Sequence, residues 1–263
     1  MKKILTFALV LALAFCLTAC DKKDETVKIG ASPAPHAEIL EVIKPLLEKE
    51  GVGIEIVEFT DYTVQNKALS SGDVYANFFQ HTPYLESYNE NSGDDLVAAV
   101  KVHFEPMGVY SERVDSIENL PENAKVAIPN DETNERRALE LLESLGLITL
   151  KNDKSDLTAV GENYKNIEIV ELAAEQIPRG LADVDIAVVN GNYAVSAGIL
   201  DKALTYESAD SKAADTFANV LAVRNEDKDS EITAQIAEAL TSKEVKDFLE
   251  EKYAGQCIAV FES

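Results

Sequence analysis

Short apolar runs of strand length alternate with stripes at helical spacing along most of this chain. Val27-Lys28-Ile29-Gly30-Ala31 predicts a first strand and Pro33 to His36 a loop. Ala37 to Glu50 predicts a helix with Ile39, Leu40, Ile43, Leu46 and Leu47 on one stripe. Pro45 falls inside that stripe and is expected to kink the helix or break it in two. Gly51-Val52-Gly53 ends it, and Ile54 to Phe59 is a second strand. The stretch Tyr62 to Tyr84 predicts a helical segment (Val64, Ala68 and Leu69 on one face), a turn at Ser71-Gly72-Asp73 and a strand from Val74 to Phe79. Phe79 and His81 stand two apart, so on extended backbone both face one side. Pro83 suits the first turn of a helix reaching about Asn91, and Tyr84 follows it there. Leu96 to Val102 is the next strand.

A second run of the same kind begins near Val109. Lys125 to Pro129 is a short buried strand, and Asn130-Asp131-Glu132-Thr133-Asn134 supplies N-cap chemistry for a helix running to Leu145, which Gly146 ends. Leu147 to Leu150 is extended, and Asn152 to Asn166 is polar and loop-rich. Ile167 to Leu172 predicts a strand, Ala173 to Leu181 a helix and Asp185 to Val189 a strand ending in Asn190-Gly191-Asn192-Tyr193. Phe217 to Arg224 is one more strand. Two amphipathic helices, Glu231 to Leu240 and Ser242 to Tyr253, close the chain. The alternation predicts an α/β protein with mostly parallel sheets and right-handed crossovers. Its simplest assembly is two lobes, 28–110 with 218–263 and 111–217, crossed twice by the chain. A small-molecule site then lies in the cleft where strands of both lobes end.

The N-terminus changes the picture of where the chain works. Lys2 and Lys3, an apolar run from Ile4 to Leu17 and small residues before Cys20 form the pattern of a secretory signal peptide over residues 1–19. The run is shorter than the ~20 residues that span a bilayer as a helix. Leu17-Thr18-Ala19-Cys20 resembles the bacterial lipobox, in which the cysteine becomes the first mature residue and carries acyl chains such as palmitate. Cys20 is therefore expected to anchor the protein to the extracytoplasmic face of the cell membrane without spanning it, with residues 20–27 as lipidated cysteine and tether.

Charge excludes some partners. With 47 Asp and Glu against 24 Lys and Arg, the chain has a formal charge of −23, a field that repels nucleic acid and anionic lipid. Of three cysteines only Cys257 remains beyond Cys20, so no disulfide framework and no cysteine metal site is expected. Nucleophile-elbow, Walker, dinucleotide-glycine and H-E-x-x-H patterns are all missing, which argues against an enzyme and against a cofactor. The three histidines, His36, His81 and His103, are candidates for a metal site assembled from separate loops. None has another ligand at i,i+4, so no metal is expected. Arg137, in the first turns of its helix, has the position to grip a carboxylate bidentately. The plainer alternative pairs Arg136 and Arg137 with Glu132, Glu135 or Glu140 on a solvated face. Asn190 and Asn219 stand at strand edges, where an amide can accept from an ammonium and donate to a carboxylate, or merely shape a turn. Phe79, His81 and their aromatic neighbours are either a pocket wall or core.

Several blocks in order are similar to the methionine-binding lipoprotein family of bacterial ABC importers. They include Asp61-Tyr62, Asn66 to Asp73, Ala76-Asn77-Phe78-Phe79-Gln80-His81-Thr82-Pro83-Tyr84-Leu85 and Glu105-Pro106-Met107-Gly108. Further on stand Ile128-Pro129-Asn130-Asp131, Thr133-Asn134, Gln176-Ile177-Pro178-Arg179 and Val188 to Ala194. The resemblance implies a periplasmic-binding-protein fold of the second type and a pocket for a free α-amino acid. It implies that Arg137 holds the ligand carboxylate and that Asn190 and Asn219 share the ammonium and the rest of the carboxylate. It also implies that Tyr62, Phe79, His81 and Tyr84 wall in a thioether side chain. L-methionine is the implied ligand, and an ABC permease with its ATPase the implied partner. One departure is Arg136, where the family has a small residue. Pointing into the cleft, it would suit a methionine-containing dipeptide or another amino acid. A surface adhesin or immunogenic lipoprotein with an idle cleft is the reading from a different class.

Overall fold

The computed structural model describes residues 25–151, 159–209 and 211–262. The signal peptide and Cys20 lie outside them. Of the expected tether, residues 25–27 already belong to strand β1 (Glu25–Ala31), which pairs in parallel with β2 (Val52–Glu58). Val27, Ile29 and Ala31 alternate inward and pack beneath helix α1 (Glu38–Lys49), whose Ile39, Leu40, Ile43 and Leu47 are fully buried. Burying such side chains contributes about 1.5–3 kcal/mol each. The helix runs unbroken through Pro45, which sits on its exposed face. Expected as a loop, Pro33–Ala37 is instead a short π-helical turn that sends His36 into the core.

Helix α2 (Tyr62–Ser70) leads to β3 (Ala76–His81), α3 (Thr82–Ser92) and β4 (Leu96–Phe104). After β4 the chain leaves this sheet, and β12 (Ala218–Arg224) returns between β3 and β4, antiparallel to both. With β13 (Ile258–Ala259) at the edge, the first sheet has the order β13-β4-β12-β3-β1-β2. Helices α7 (Glu231–Leu240) and α8 (Lys243–Tyr253) cover it beside α1.

The second sheet takes the order β11-β5-β10-β6-β9. Its strands are β5 (Gly108–Tyr110), β6 (Lys125–Pro129), β9 (Glu168–Leu172), β10 (Ile186–Val189) and β11 (Ala203–Tyr206). Helix α4 (Glu132–Ser144) packs Leu139 and Leu142 onto Val126, Ile128, Ile186 and Val188, and Gly146 turns the chain away at φ 70°. The extended stretch expected at Leu147 to Leu150 is β7 (Ile148–Leu150), and it forms a hairpin with β8 (Val160–Asn163), which stands where the sequence suggested loop, with residues 152–158 outside the description.

Two architectural expectations need correction. The sheets are mixed, because β12 and β5 enter antiparallel from the crossovers. The first crossover falls at residues 105–107, ahead of the expected boundary at 110, because Gly108–Tyr110 pairs with β10 and β11 in the second sheet. Residues 174–183 form a 3-10 helix, consistent with Pro178, which lacks an amide donor, inside it. Asn190 precedes an unforeseen helix, α5 (Gly191–Ala197), without capping it through its side chain, and α6 (Ser211–Thr216) lies in the second crossover.

Candidate functional site

Strand β3 is buried at every position and delivers Phe79 and His81 to the gap between the sheets. Asp61 caps α2 by accepting from the Thr63 amide at 2.7 Å, which starts the helix at Tyr62. A carboxamide cluster fixes α2 to β3. Asn66 donates to Gln80 at 2.8 Å, and Asn66 Oδ1 accepts from Asn77 at 2.8 Å and Gln80 at 2.6 Å. The rings of Tyr62, Phe79 and Tyr84 consequently meet pairwise, with centroids 5.6–5.8 Å apart. Across the gap Tyr62 donates to Asn192 Oδ1 at 2.5 Å and Tyr193 donates to the Thr60 carbonyl at 3.1 Å, so the two lobes are in contact.

His81 is both the end of β3 and the cap of α3. Its Nδ1 accepts from the Tyr84 amide at 3.2 Å, so the proton lies on Nε2, which donates to Asn134 Oδ1 at 3.2 Å. Burial first, and then Arg137, lowers its pKa to about 3. It is a neutral wall. Asp131 caps α4 and holds Asn134 Nδ2 at 2.9 and 3.0 Å, and Asn134 Oδ1 also accepts from Asn190 Nδ2 at 2.7 Å. Asn190 Oδ1 is left buried with no protein donor.

Arg137 is 5% exposed and turns inward from α4. Its Nε donates to Glu207 Oε2 at 3.1 Å and its Nη2 to Glu207 Oε1 and, at 2.8 Å, to the Glu105 carbonyl. The Phe217 ring lies 4.4 Å from the guanidinium carbon. Glu207 also accepts the Met107 amide at 2.6 Å, so one carboxylate ties the arginine to both crossovers. Arg136 bonds Glu140 at 2.8 Å and is absent from the lining of the cavity. The helix-face pairing thus applies to Arg136 and not to Arg137.

Sequence reasoning missed Glu105. Its Oε1 accepts from His103 Nε2 at 2.7 Å and lies 3.4 Å from His36 Nε2, which donates at 3.0 Å to Asn219 Oδ1. The amide of Asn192 also donates to this carboxylate, and burial raises the Glu105 pKa. Burial lowers His36 to about 4 and His103 to about 3. Two of the three histidines weighed as one metal site from separate loops, His36 and His103, thus meet at one carboxylate, with donor atoms within 4.8 Å of one another, while His81 is not part of the group. Tetrahedral metal ligands at about 2.0–2.1 Å would need to lie ~3.3 Å from one another. The 2.7 Å separation of His103 and Glu105 is that of a hydrogen bond.

These groups line a small cavity between the lobes. All seven residues expected at the site line it: Tyr62, Phe79, His81, Tyr84, Arg137, Asn190 and Asn219. Gln80, Glu105, Asn134, Gly191 and Asn192 complete the wall. Glu105 carried no local signal beyond its place in the Glu105-Pro106-Met107-Gly108 block. Only the fold brings it beside residues 86 positions away at Gly191, where an added Cβ would meet Glu105 Cβ at 2.8 Å and Oε2 at 3.0 Å. Gly191→Ala is expected to weaken ligand affinity about tenfold or more, by overpacking that costs roughly 1–3 kcal/mol. Isothermal titration of the variant beside the parent measures it.

Two α/β lobes, crossed twice by the chain and meeting over a lined cavity, define a two-lobed substrate-binding protein. The chain belongs to the NlpA lipoprotein family, whose profile matches residues 27–261. Methionine-binding lipoprotein MetQ of Bacillus subtilis (strain 168) is 35% identical over 275 residues, covering 100% of each chain. A solved nutrient binding protein from Burkholderia cenocepacia bound to methionine has TM-score 0.84 and 40% identity, covering 89% of this chain and 100% of that one. A periplasmic substrate-binding protein of an ABC transporter from Coxiella burnetii gives 0.82 and 38%, with coverage of 89% and 100%.

Proposed function

We propose that the cleft captures L-methionine as a zwitterion and delivers it to an ABC importer, an ABC permease driven by its ATPase, with no reaction on the ligand. The observation that carries this reading is the polarity of the cavity. One end offers a buried guanidinium, a buried carboxylate and an amide oxygen without a donor, and the other a wall of aromatic rings. An α-amino acid satisfies the first end without leaving a charge unpaired. Arg137 and the Asn219 Nδ2 left over by His36 hold the carboxylate, and Glu105 with Asn190 Oδ1 holds the ammonium. A thioether lying on Tyr62, Phe79, His81 and Tyr84 gains about 0.3–1.5 kcal/mol per sulfur–ring contact.

Ligand contacts both lobes and so favours the closed form. The receptor is tethered through lipidated Cys20 in the bilayer at the extracytoplasmic face. No helix among the described residues is long and apolar enough to cross a membrane.

The full chain, unfolded to release bound ligand and refolded in detergent, should give submicromolar binding of L-methionine by calorimetry. Heat with a methionine-containing dipeptide alone would replace the ligand. Silence with both would overturn the importer reading and favour an adhesin.

A further inference from the structure

His36 and His103 do not line the cavity, and their side chains are 1% and 0% exposed, so neither touches a ligand there. Their hydrogen-bond partners do line it. His103 Nε2 faces Glu105 Oε1, and His36 Nε2 faces Asn219 Oδ1 and Glu105 Oε1, all of them acceptors when the carboxylate is ionised. Each imidazole therefore carries its proton on Nε2 and donates from there. The other nitrogen, Nδ1, is buried without a partner in both rings. An apolar side chain of similar volume would avoid that desolvation cost, so what the imidazoles contribute here is the Nε2 proton. Phe78 packs edge-on against both, 4.8 Å from His36 and 5.4 Å from His103, and fixes the ring planes.

Building on the proposed amino-acid site, we propose that His36 and His103 are positioning residues. They hold Glu105 and Asn219 so that the cleft reads a free α-ammonium and prefers an amino acid over the same molecule without its amino group. The bond from His103 turns Glu105 Oε1 toward the first lobe, while Oε2 lies against Gly191 and the Asn192 amide secures the carboxylate from the second. The bond from His36 takes the Asn219 carbonyl, which leaves Nδ2 to donate into the cavity. Glu105 thus stays ionised beside the ammonium, and Asn219 presents only a donor to the carboxylate. Without the histidines Glu105 can take up a proton and Asn219 can turn its amide over, and both changes erase the preference.

The test compares L-methionine with 4-(methylthio)butanoate, its counterpart without the amino group, by calorimetry on the refolded full chain. His36→Leu and His103→Leu should lower the preference for methionine by about tenfold or more, the scale of a lost hydrogen bond to a charged group. His36→Gln and His103→Gln, whose Nε2 falls near that of histidine, should keep it within about threefold. His103→Asn, whose amide falls short of Glu105, keeps the site polar if the leucine variant fails to fold, and should behave as that variant does. Equal losses for both ligands, or equal losses in leucine and glutamine variants, would overturn the positioning role. So would a zinc-dependent rise in melting temperature of ligand-free protein that the histidine variants abolish, since the trio would then be a metal site. Failure of the parent protein to bind methionine would instead overturn the amino-acid site itself, and this inference with it.

Discussion

Replacing Arg137 with alanine is expected to lower L-methionine affinity by about 10²–10⁴-fold, from two lost charge-assisted hydrogen bonds of roughly 1.5–3 kcal/mol each. The same change should destabilise the fold by about 3–5 kcal/mol, because it strands a buried carboxylate. That carboxylate is Glu207, 12% exposed at its side chain, which bonds the guanidinium through both oxygens and also takes the Met107 amide. Stability and binding can be separated. Arg137→Ala combined with Glu207→Gln should recover much of the melting temperature and none of the affinity. Arg137→Lys keeps the charge but loses the fork and should fall between. Calorimetry and thermal unfolding on the three variants decide it. Parent-like affinity in Arg137→Ala would remove the arginine from the site.

Acid is expected to unfold this protein through its histidines. His36, His81 and His103 titrate at about 4, 3 and 3 in the fold, against 6.5 for the ordinary side chain, because burial opposes their charged form. Below about pH 6.5 the unfolded chain binds protons that the folded chain refuses. Stability then falls with pH, approaching about 1.4 kcal/mol per pH unit for each histidine, until the folded values are reached. Glu105 acts in the opposite sense. Its pKa is raised, so it contributes stability below the ordinary 4.5 that is lost as pH rises through its folded value. Relief of the −23 charge as carboxylates protonate also acts against the histidines. The decisive comparison is therefore between variants. Urea unfolding at pH 7, 5.5 and 4.5 should show a steeper loss for the parent than for His81→Gln, by close to one proton. Equal slopes would sink the account.

Much of this was legible from residues alone. The periods of Val27 to Ala31 and of Ile39 to Leu47 gave a strand and a helix, because one face of each is buried and the spacing records which. Pro83 and Asp131 announced the starts of α3 and α4 for equally local reasons. Pro45 does not break its helix: it stands on the exposed face, where the carbonyl that loses its amide partner can turn to solvent. The seven residues expected around the cavity drew on the family resemblance as well as on spacing, since the local reading of Arg137 favoured a pairing on its own helix face. The antiparallel entries of β12 and β5 were not legible, because strand direction within a sheet depends on where the chain returns from.

By itself, then, the sequence determined what short-range chemistry can determine. It set the order of strands and helices, an acidic chain with a lipobox-like leader, the caps, and the aromatic and amide residues gathered near His81. The tertiary structure alone decided that Arg137 leaves its helix face for Glu207 and that Arg136 keeps it. It alone brought His36 and His103 to Glu105 from 69 and 2 positions away, and left Asn190 with an acceptor facing the cavity. The pairings of Arg137 with Glu207 and of His36 with Glu105 join residues 70 and 69 positions apart in a space from which water is excluded. Their energies come from burial and from the absence of other partners, and neither is written in the spacing of neighbours.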